Sequence, residues 1–228
     1  MDKRLDAVLT TLYLLFNEGY YSESKDAVLR EDLCLEAMRL TYFLIKNKQT
    51  NLTQVNALFA LMCFHASRFG TRKNENGEVI LYQDQDEFQW NKKLIYKGTY
   101  YLKQASQGTR LSKYHLEANI AYWHTIKEDK KEKWENILQL YNQLLVLEYS
   151  PIAALNRTYA LSKVKSKAEA ILEAEKLQLT DNPFYFSLLG ELHRGIDKDQ
   201  AKQNFQRALQ LAKTNPDKRT LQRYIDEL

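Results

Sequence analysis

Residues 150–216 read SPIAALNRTYALSKVKSKAEAILEAEKLQLTDNPFYFSLLGELHRGIDKDQAKQNFQRALQLAKTNP and contain all three prolines of this 228-residue chain. Pro151, Pro183 and Pro216 lie 32 and 33 residues apart. Proline is tolerated in the first turn of a helix but not in its interior, so each proline is expected to mark the start of a helix. An interval of about 34 residues is the length of a repeated helix pair. The stretch therefore predicts stacked pairs of helices.

Small and large apolar residues recur at a similar interval. Small residues such as Gly190 let two helix backbones approach, and a large residue such as Phe205 fills the groove that they leave. Two positions are expected to pack in the second helix of each pair. The first, at the start of the helix, is occupied by Trp134, Ala168 and Ala201, and the second, one turn later, by Leu138, Leu172 and Phe205. This pattern predicts one all-α, tetratricopeptide-like array over 1–228 with about ten or eleven helices.

The predicted array has two parts. Residues 1–111 are expected to form N-terminal helices and a short arm. Residues 112–228 are expected to form the tetratricopeptide-like pairs and a C-terminal capping helix. The expected pairs join 112–126 to 132–147, 151–163 to 166–177, and 183–194 to 198–213.

Residues 69–82 interrupt the helical pattern. Asn76-Gly77 is a strong two-residue turn signal, and Val79 to Tyr82 is a short β-prone run. We expect a small hairpin or an extended arm here. Asp86 is the expected N-cap of the helix that follows.

Composition and charge exclude several classes of protein. The chain has 33 basic and 29 acidic residues, and the two signs are interspersed. We therefore predict that this chain does not bind DNA directly. No apolar run approaches the roughly 20 residues needed to cross a bilayer, and the N-terminus lacks a signal-peptide core. The protein is expected to be cytoplasmic, with no membrane contact. Cys34 and Cys63 are expected to be buried, reduced thiols, with a disulfide as the alternative.

No recognisable motif for catalysis, metal binding or cofactor binding occurs in the chain. The four histidines lack the i, i+4 spacing that places two imidazoles on one metal. A CxxC pair, a glycine-rich phosphate loop, a GxSxG elbow and an HExxH helix are all missing. We therefore predict no catalytic residue, no metal, no cofactor and no enzymatic activity.

One polar cluster combines Arg68 with Asp84 and Asp86, close to Trp90. One interpretation is that the cluster contacts a ligand or a partner. The other is structural: the carboxylates cap a helix and pair with Arg68 to hold the arm in place.

Asn156 and Arg157, one turn after Pro151, raise the same two alternatives. Asn156 occupies the place of Gly190 in the next unit and is expected to face the partner helix as a structural latch. The fifteen tyrosines of the chain are compatible with a groove that contacts protein, or with tyrosine replacing leucine at helix contacts.

Six segments together resemble the C-terminal extension of one group of bacterial ECF-type RNA polymerase sigma factors. In chain order they are LYLLFNEGY (12–20), DLCLEAMRL (32–40), ALFALMCFHASR (57–68), LYQDQDEFQW (81–90), YHLEANIA (114–121) and SPIAALNRTYAL (150–161). In that family, a tetratricopeptide-like domain follows the two promoter-binding domains. The resemblance covers nearly the whole chain.

The resemblance implies a regulatory role in transcription initiation through contact with the sigma domains or core RNA polymerase. Only Met1 to Arg4 precede the similar region, so the chain is expected to be a fragment of a longer sigma factor or a product that lost the promoter-binding domains. The residues expected nearest to those domains are Phe16, Asn17, Glu18 and Tyr20. The alternative is a free-standing helical scaffold that binds a peptide or protein unrelated to transcription.

Overall fold

The computed structural model describes residues 2–20, 30–72, 80 and 82–228. Within these ranges the chain contains eleven α-helices and three short 3-10 helices, and no strand. The prediction of an all-α helical array is confirmed. The chain divides into two compact units, Met1–Lys127 and Glu128–Leu228.

The first unit is organised around helix α3. Its α-helices are α1 (Asp2–Tyr20), α2 (Glu31–Lys46), α3 (Thr53–Ala66), α4 (Lys92–Ala105) and α5 (Lys113–Trp123). Helix α3 is apolar around its whole circumference, and a helix of that kind is stable only when it is surrounded. Helices α1, α2, α4 and α5 all pack against it.

Helix α5 corrects the predicted boundary between the two parts of the chain. Ala118 and Ala121 are buried in the core of the first unit, and α5 packs on α3 and α4. The segment 112–126 therefore belongs with the N-terminal helices, and the division falls at 127/128 instead of 111/112.

The second unit contains six helices in succession. They are α6 (Lys131–Leu147), α7 (Pro151–Val164), α8 (Lys167–Glu175), α9 (Pro183–His193), α10 (Lys198–Leu211) and α11 (Asn215–Asp226). Each helix packs on the next in sequence, and α9 packs in addition on α7. The prolines lie in the first turns of α7, α9 and α11, as predicted. The side chains of Ser150, Asn182 and Thr214 cap these three helices by accepting backbone N–H bonds.

The second helices of the pairs share a register that is counted from their N-caps. In α8 and α10 the fourth residue after the cap is Ala170 or Ala201, and both are fully buried. The predicted packing positions in α8, Ala168 and Leu172, are wrong, because both are exposed. The N-caps of α6, α8 and α10 lie at 130, 166 and 197, so the linear interval is not constant.

The predicted arm at 69–82 is described only in part. Phe69–Thr71 and Tyr82–Asp84 are 3-10 helices, and the Ile80 amide donates to the Arg72 carbonyl at 2.9 Å. Residues 73–79 and 81, on which the predicted hairpin depends, lie outside the described residues. Cys34 and Cys63 are free, as predicted, and burial raises the pKa of each thiol to about 12.

None of the described helices combines the length and the hydrophobicity that a membrane span requires.

Candidate functional site

The C-terminal end of α1 brings two aromatic rings against the end of α3. Phe16 and Tyr20 lie one turn apart and stack with ring centroids 5.8 Å apart. Phe16 is only 2% exposed and belongs to the core of the first unit. The expectation that its side chain contacts a neighbouring domain is therefore wrong. Tyr20 is half-buried, and its ring lies 4.6 Å from that of His65.

Two guanidinium groups meet on Tyr20. Arg68 donates from Nη2 to the Tyr20 hydroxyl oxygen at 3.2 Å. The Cζ atom of Arg72 lies 3.8 Å from the centroid of the Tyr20 ring, a close cation–π contact. The end of α3 and the following 3-10 turn thus place two positive charges on one tyrosine.

Tyr82 forms a second aromatic centre beside the first. Arg68 Cζ lies 5.5 Å from the Tyr82 ring, and the rings of His124 and Trp90 lie 5.3 and 6.1 Å from it. Lys127 donates from Nζ to the carbonyl oxygens of Tyr82, at 3.1 Å, and of Gln85, at 2.5 Å. We call the group formed by Tyr20, His65, Arg68, Arg72, Tyr82 and Trp90 the Arg68 cluster.

The electrostatic environment of the Arg68 cluster is positive. Burial lowers the pKa of His65 well below its usual value, and the charges of Arg68 and Arg72 lower it further. His65 is therefore neutral at pH 7. In the part of the chain that the structure describes, neither arginine forms an ion pair with a carboxylate. Among the described residues, the buried nitrogens His65 Nδ1, Arg72 Nη1 and Trp90 Nε1 find no hydrogen-bond partner.

The structural interpretation of Arg68, Asp84 and Asp86 is wrong in its central contact. Both carboxylates are exposed, and Arg68 contacts Tyr20 and Tyr82 instead. The physical reason is that a guanidinium stacks well on an aromatic face, and the Tyr82 ring offers one with its centroid 5.5 Å from Arg68 Cζ.

Asp86 is a cap, but of a shorter element than expected. It accepts hydrogen bonds from the Phe88 amide and from Gln89 Nε2, both at 3.0 Å, and thereby caps the 3-10 helix Glu87–Gln89. These two hydrogen bonds lower the pKa of Asp86, and the bond from Gln89 has the larger effect. Helix α4 has its own cap, Asn91, which accepts from the Leu94 amide at 3.1 Å.

Arg157, in the second unit, is a link between helices. It donates from Nε to Asn142 Oδ1 on α6 at 2.6 Å and lies 3.9 Å from a Glu173 carboxylate oxygen on α8. Asn156 is exposed, so the predicted latch at this residue is wrong. Counted from the helix caps, Thr158 occupies the place of Gly190, and it is 1% exposed.

Sequence reasoning named Tyr20, Arg68 and Trp90 but assigned them to different groups. The fold brings them together, while Asn17 and Glu18 are half-buried on the same helix turn as Tyr20. His65, Arg72 and Tyr82 were not predicted as members of this site. The available signal was the spacing of His65, Arg68 and Arg72 at three- and four-residue steps, which places basic side chains along one side of a helical turn.

Helix α4 carries a second surface feature that sequence reasoning missed. Its sequence KKLIYKGTYYLKQA contains four lysines and no acidic residue. Tyr96 and Tyr100 are 78% and 52% exposed, although large aromatic side chains are usually buried. With the exposed lysines they form what we call the α4 stripe, consisting of Lys92, Lys93, Tyr96, Tyr100 and Lys103.

Comparison with known proteins gives two matches and one negative result. A family model described as a family of unknown function (DUF6596) matches residues 4–106, which span α1 to α4. An uncharacterized protein of Rhizobium meliloti (strain 1021) is 32% identical over 230 residues, which cover 99% of this chain and 54% of that protein. No solved structure matches. The chain thus spans about half the length of the curated relative that it matches.

Proposed function

We propose that this chain is the regulatory, protein-interacting extension of an ECF-type RNA polymerase sigma factor and acts in transcription initiation. The observation that carries the proposal is the ordered resemblance of six segments, from 12–20 to 150–161, to such extensions. The Rhizobium meliloti relative supports it, because that protein contains a further stretch of chain about as long as the one matched.

The α4 stripe is the surface that we assign to the partner. Exposed tyrosines provide contact area at a low cost in conformational entropy, and they are frequent among residues that dominate binding energy. The lysines on either side favour a partner surface that carries acidic residues, because complementary charge accelerates association and selects the partner. Phe16 cannot serve in this role, because it is buried.

The test is a calorimetric titration of the purified chain with two partners. These are the promoter-binding domains of an ECF-type sigma factor from the same genome, and core RNA polymerase. We expect binding to one of them, weakened at least about tenfold by Tyr96→Ala combined with Tyr100→Ala. The matched control is Phe88→Ala, which removes an aromatic ring that is 88% exposed and lies outside α4.

Two results would overturn the proposal. Binding to neither sigma domains nor polymerase would favour a free-standing scaffold with an unrelated partner. Tight DNA binding by the chain, with an affinity that falls steeply as salt is raised, would show that its basic side chains contact phosphates and not a protein partner. A low-salt titration with duplex DNA belongs in the same experiment.

A further inference from the structure

We propose that a cavity between α4 and α5 binds a small amphipathic carboxylate, a molecule that joins one carboxylate head group to an apolar body. The cavity has a volume of about 560 Å³. Small-molecule sites in proteins span roughly 300–1,000 Å³, so there is space for such a ligand. The proposal is independent of the proposed function, because it concerns a ligand of the first unit alone and its test uses no partner protein.

The cavity is formed in the absence of a ligand, because the loop 106–112 that lines part of it is held in place. Gly108 lies directly against α3: a Cβ atom at position 108 would come within 2.7 Å of Cγ2 of Thr53. At the end of the loop, the Ser112 amide donates to Nδ1 of His115 on α5 at 3.1 Å. A site that is already formed loses little conformational entropy when a ligand binds.

Part of the cavity wall is apolar and is not fully covered by the protein. Its apolar side chains are Leu102, Ala105, Leu111 and Tyr122. Leu102, Ala105 and Tyr122 also pack in the core of the first unit, which fixes their positions. Leu111 is 54% exposed. The apolar body of a ligand would remove this leucine from water, and such burial is favourable.

The charged side chains of the cavity favour a monoanion. Lys103 and Arg110 line it, and none of the described residues that line it is acidic. Arg110 Nη2 lies 3.6 Å from a carboxylate oxygen of Asp6 on α1, whereas Lys103 forms no ion pair with any described residue. One positive charge is therefore in excess. A carboxylate balances it, while a phosphate monoester, which is close to a dianion at neutral pH, does not.

The test measures the binding of three compounds to the full chain by calorimetry at equal ionic strength. Octanoate, octylammonium and octanol share one apolar body and carry a negative, a positive and no charge. We expect octanoate to bind most tightly and octylammonium at least about tenfold more weakly, because like charges placed together are unfavourable. Lys103→Gln and Arg110→Gln should each weaken octanoate binding about threefold, the effect expected of a partly exposed charge. Lys48→Gln, at an exposed lysine outside the cavity, is the matched control and should leave binding unchanged.

A second variant fills the cavity. Thr99 is an exposed residue of α4 that lines it, so Thr99→Trp should abolish octanoate binding. The matched control is Thr10→Trp on α1, because Thr10 is also exposed and both threonine hydroxyls donate to the carbonyl oxygen four residues earlier. Melting temperatures without ligand establish that each variant folds. If Thr99→Trp does not fold, Thr109→Trp fills the same cavity from the loop.

Three results would overturn the inference. The first is the absence of measurable octanoate binding. The second is binding of octylammonium or octanol as tight as that of octanoate, which would show that the site does not select a carboxylate. The third is unchanged octanoate binding in a folded tryptophan variant of the cavity, or equal weakening by a control variant, which would place the bound molecule elsewhere.

Discussion

Gly190 of α9 lies directly against the ring of Phe205 of α10. A Cβ atom at position 190 would come within 2.7 Å of Cδ1 and Cε1 of that ring, and Phe205 is fully buried. The first unit repeats the relationship between Gly98 of α4 and Phe64 of α3, where a Cβ would lie 2.6 Å from Cε1. In both pairs a glycine lets the helices approach until a phenylalanine fills the space between them.

This contact predicts that Gly190→Ala destabilises the protein. Alanine favours a helix by about 1 kcal/mol over glycine, but overpacking a core costs typically about 1–3 kcal/mol, so we expect a net loss. Urea unfolding measures it. Gly70→Ala is the control, because a Cβ there meets nothing within 4 Å and should change stability by no more than about 0.5 kcal/mol.

A second substitution separates overpacking from other effects of Gly190→Ala. Phe205→Leu shortens the opposing side chain, so the double variant should lose less stability than the sum of the two single losses. Strict additivity would mean that the two residues do not interact as described.

The second prediction concerns the N-cap register of the repeats. Phe205→Ala should lower the free energy of unfolding by about 3–5 kcal/mol and Leu189→Ala by about 2–5 kcal/mol, because each leaves a cavity. Leu172→Ala, at a residue 61% exposed, should cost only about 0.5 kcal/mol. A large loss of stability in Leu172→Ala would contradict the N-cap register. It would support the constant sequence interval that the spacing of the prolines implies.

The fold could be predicted from sequence where the signal is local. A proline in the first turn and a capping side chain act within a few residues, so the starts of α7 and α9 were predictable from Pro151 and Pro183. The register of α8 was not, because it depends on the length of the loop before Ser166. A fixed interval from the neighbouring repeats predicted that Leu172 is buried. The buried residues are instead Ala170 and Ala174, each two positions away from Leu172.

The candidate site was less predictable, because it depends on packing between distant segments. Tyr20 and Arg68 are 48 residues apart, and nothing in the chain between them indicates a hydrogen bond. Proximity in sequence instead favoured pairing Arg68 with Asp84 and Asp86. In the structure Arg68 contacts Tyr20 and Tyr82 instead of the two carboxylates. The pattern of charges near Arg68 in the sequence does not indicate which of these groups it contacts.

The third prediction concerns the 3-10 turn that precedes α4. Asp86→Ala removes the acceptor for the Phe88 amide, so hydrogen exchange at Phe88 should become faster while the global stability changes little. Asp84→Ala is the matched control, because it also removes an exposed carboxylate of the same loop but no cap. Equal effects of the two variants on exchange at Phe88 would show that loop charge, and not capping, orders the turn.

The fourth prediction concerns pH. Burial and nearby arginines lower the pKa of folded His65, so the unfolded chain binds more protons below about pH 6.5. The contribution of neutral His65 to the free energy of unfolding is therefore fully present above pH 6.5. It is lost as the pH falls below that value, with a slope that approaches about 1.4 kcal/mol per pH unit. His65→Asn should reduce this slope. Burial also lowers the pKa of His115, so the slope should not vanish unless both residues are replaced.

Urea unfolding at several pH values between 7 and 5 measures this effect. The unmodified chain and His65→Asn should diverge most below pH 6.5. Parallel curves for the two proteins would mean that His65 is protonated equally in the folded and unfolded states, contrary to its surroundings.

The proposal that the chain regulates a sigma factor is tested most directly by run-off transcription. The assay uses core RNA polymerase, the promoter-binding domains of an ECF-type sigma factor from the same genome, and a promoter of that sigma factor. The sigma domains are compared alone, fused to this chain, and fused to the variant with Tyr96→Ala and Tyr100→Ala. We predict that fusion changes the transcript yield at least about fivefold, a coupling of roughly 1 kcal/mol, and that the variant abolishes the change. Equal yields from the sigma domains with and without the chain would contradict the account.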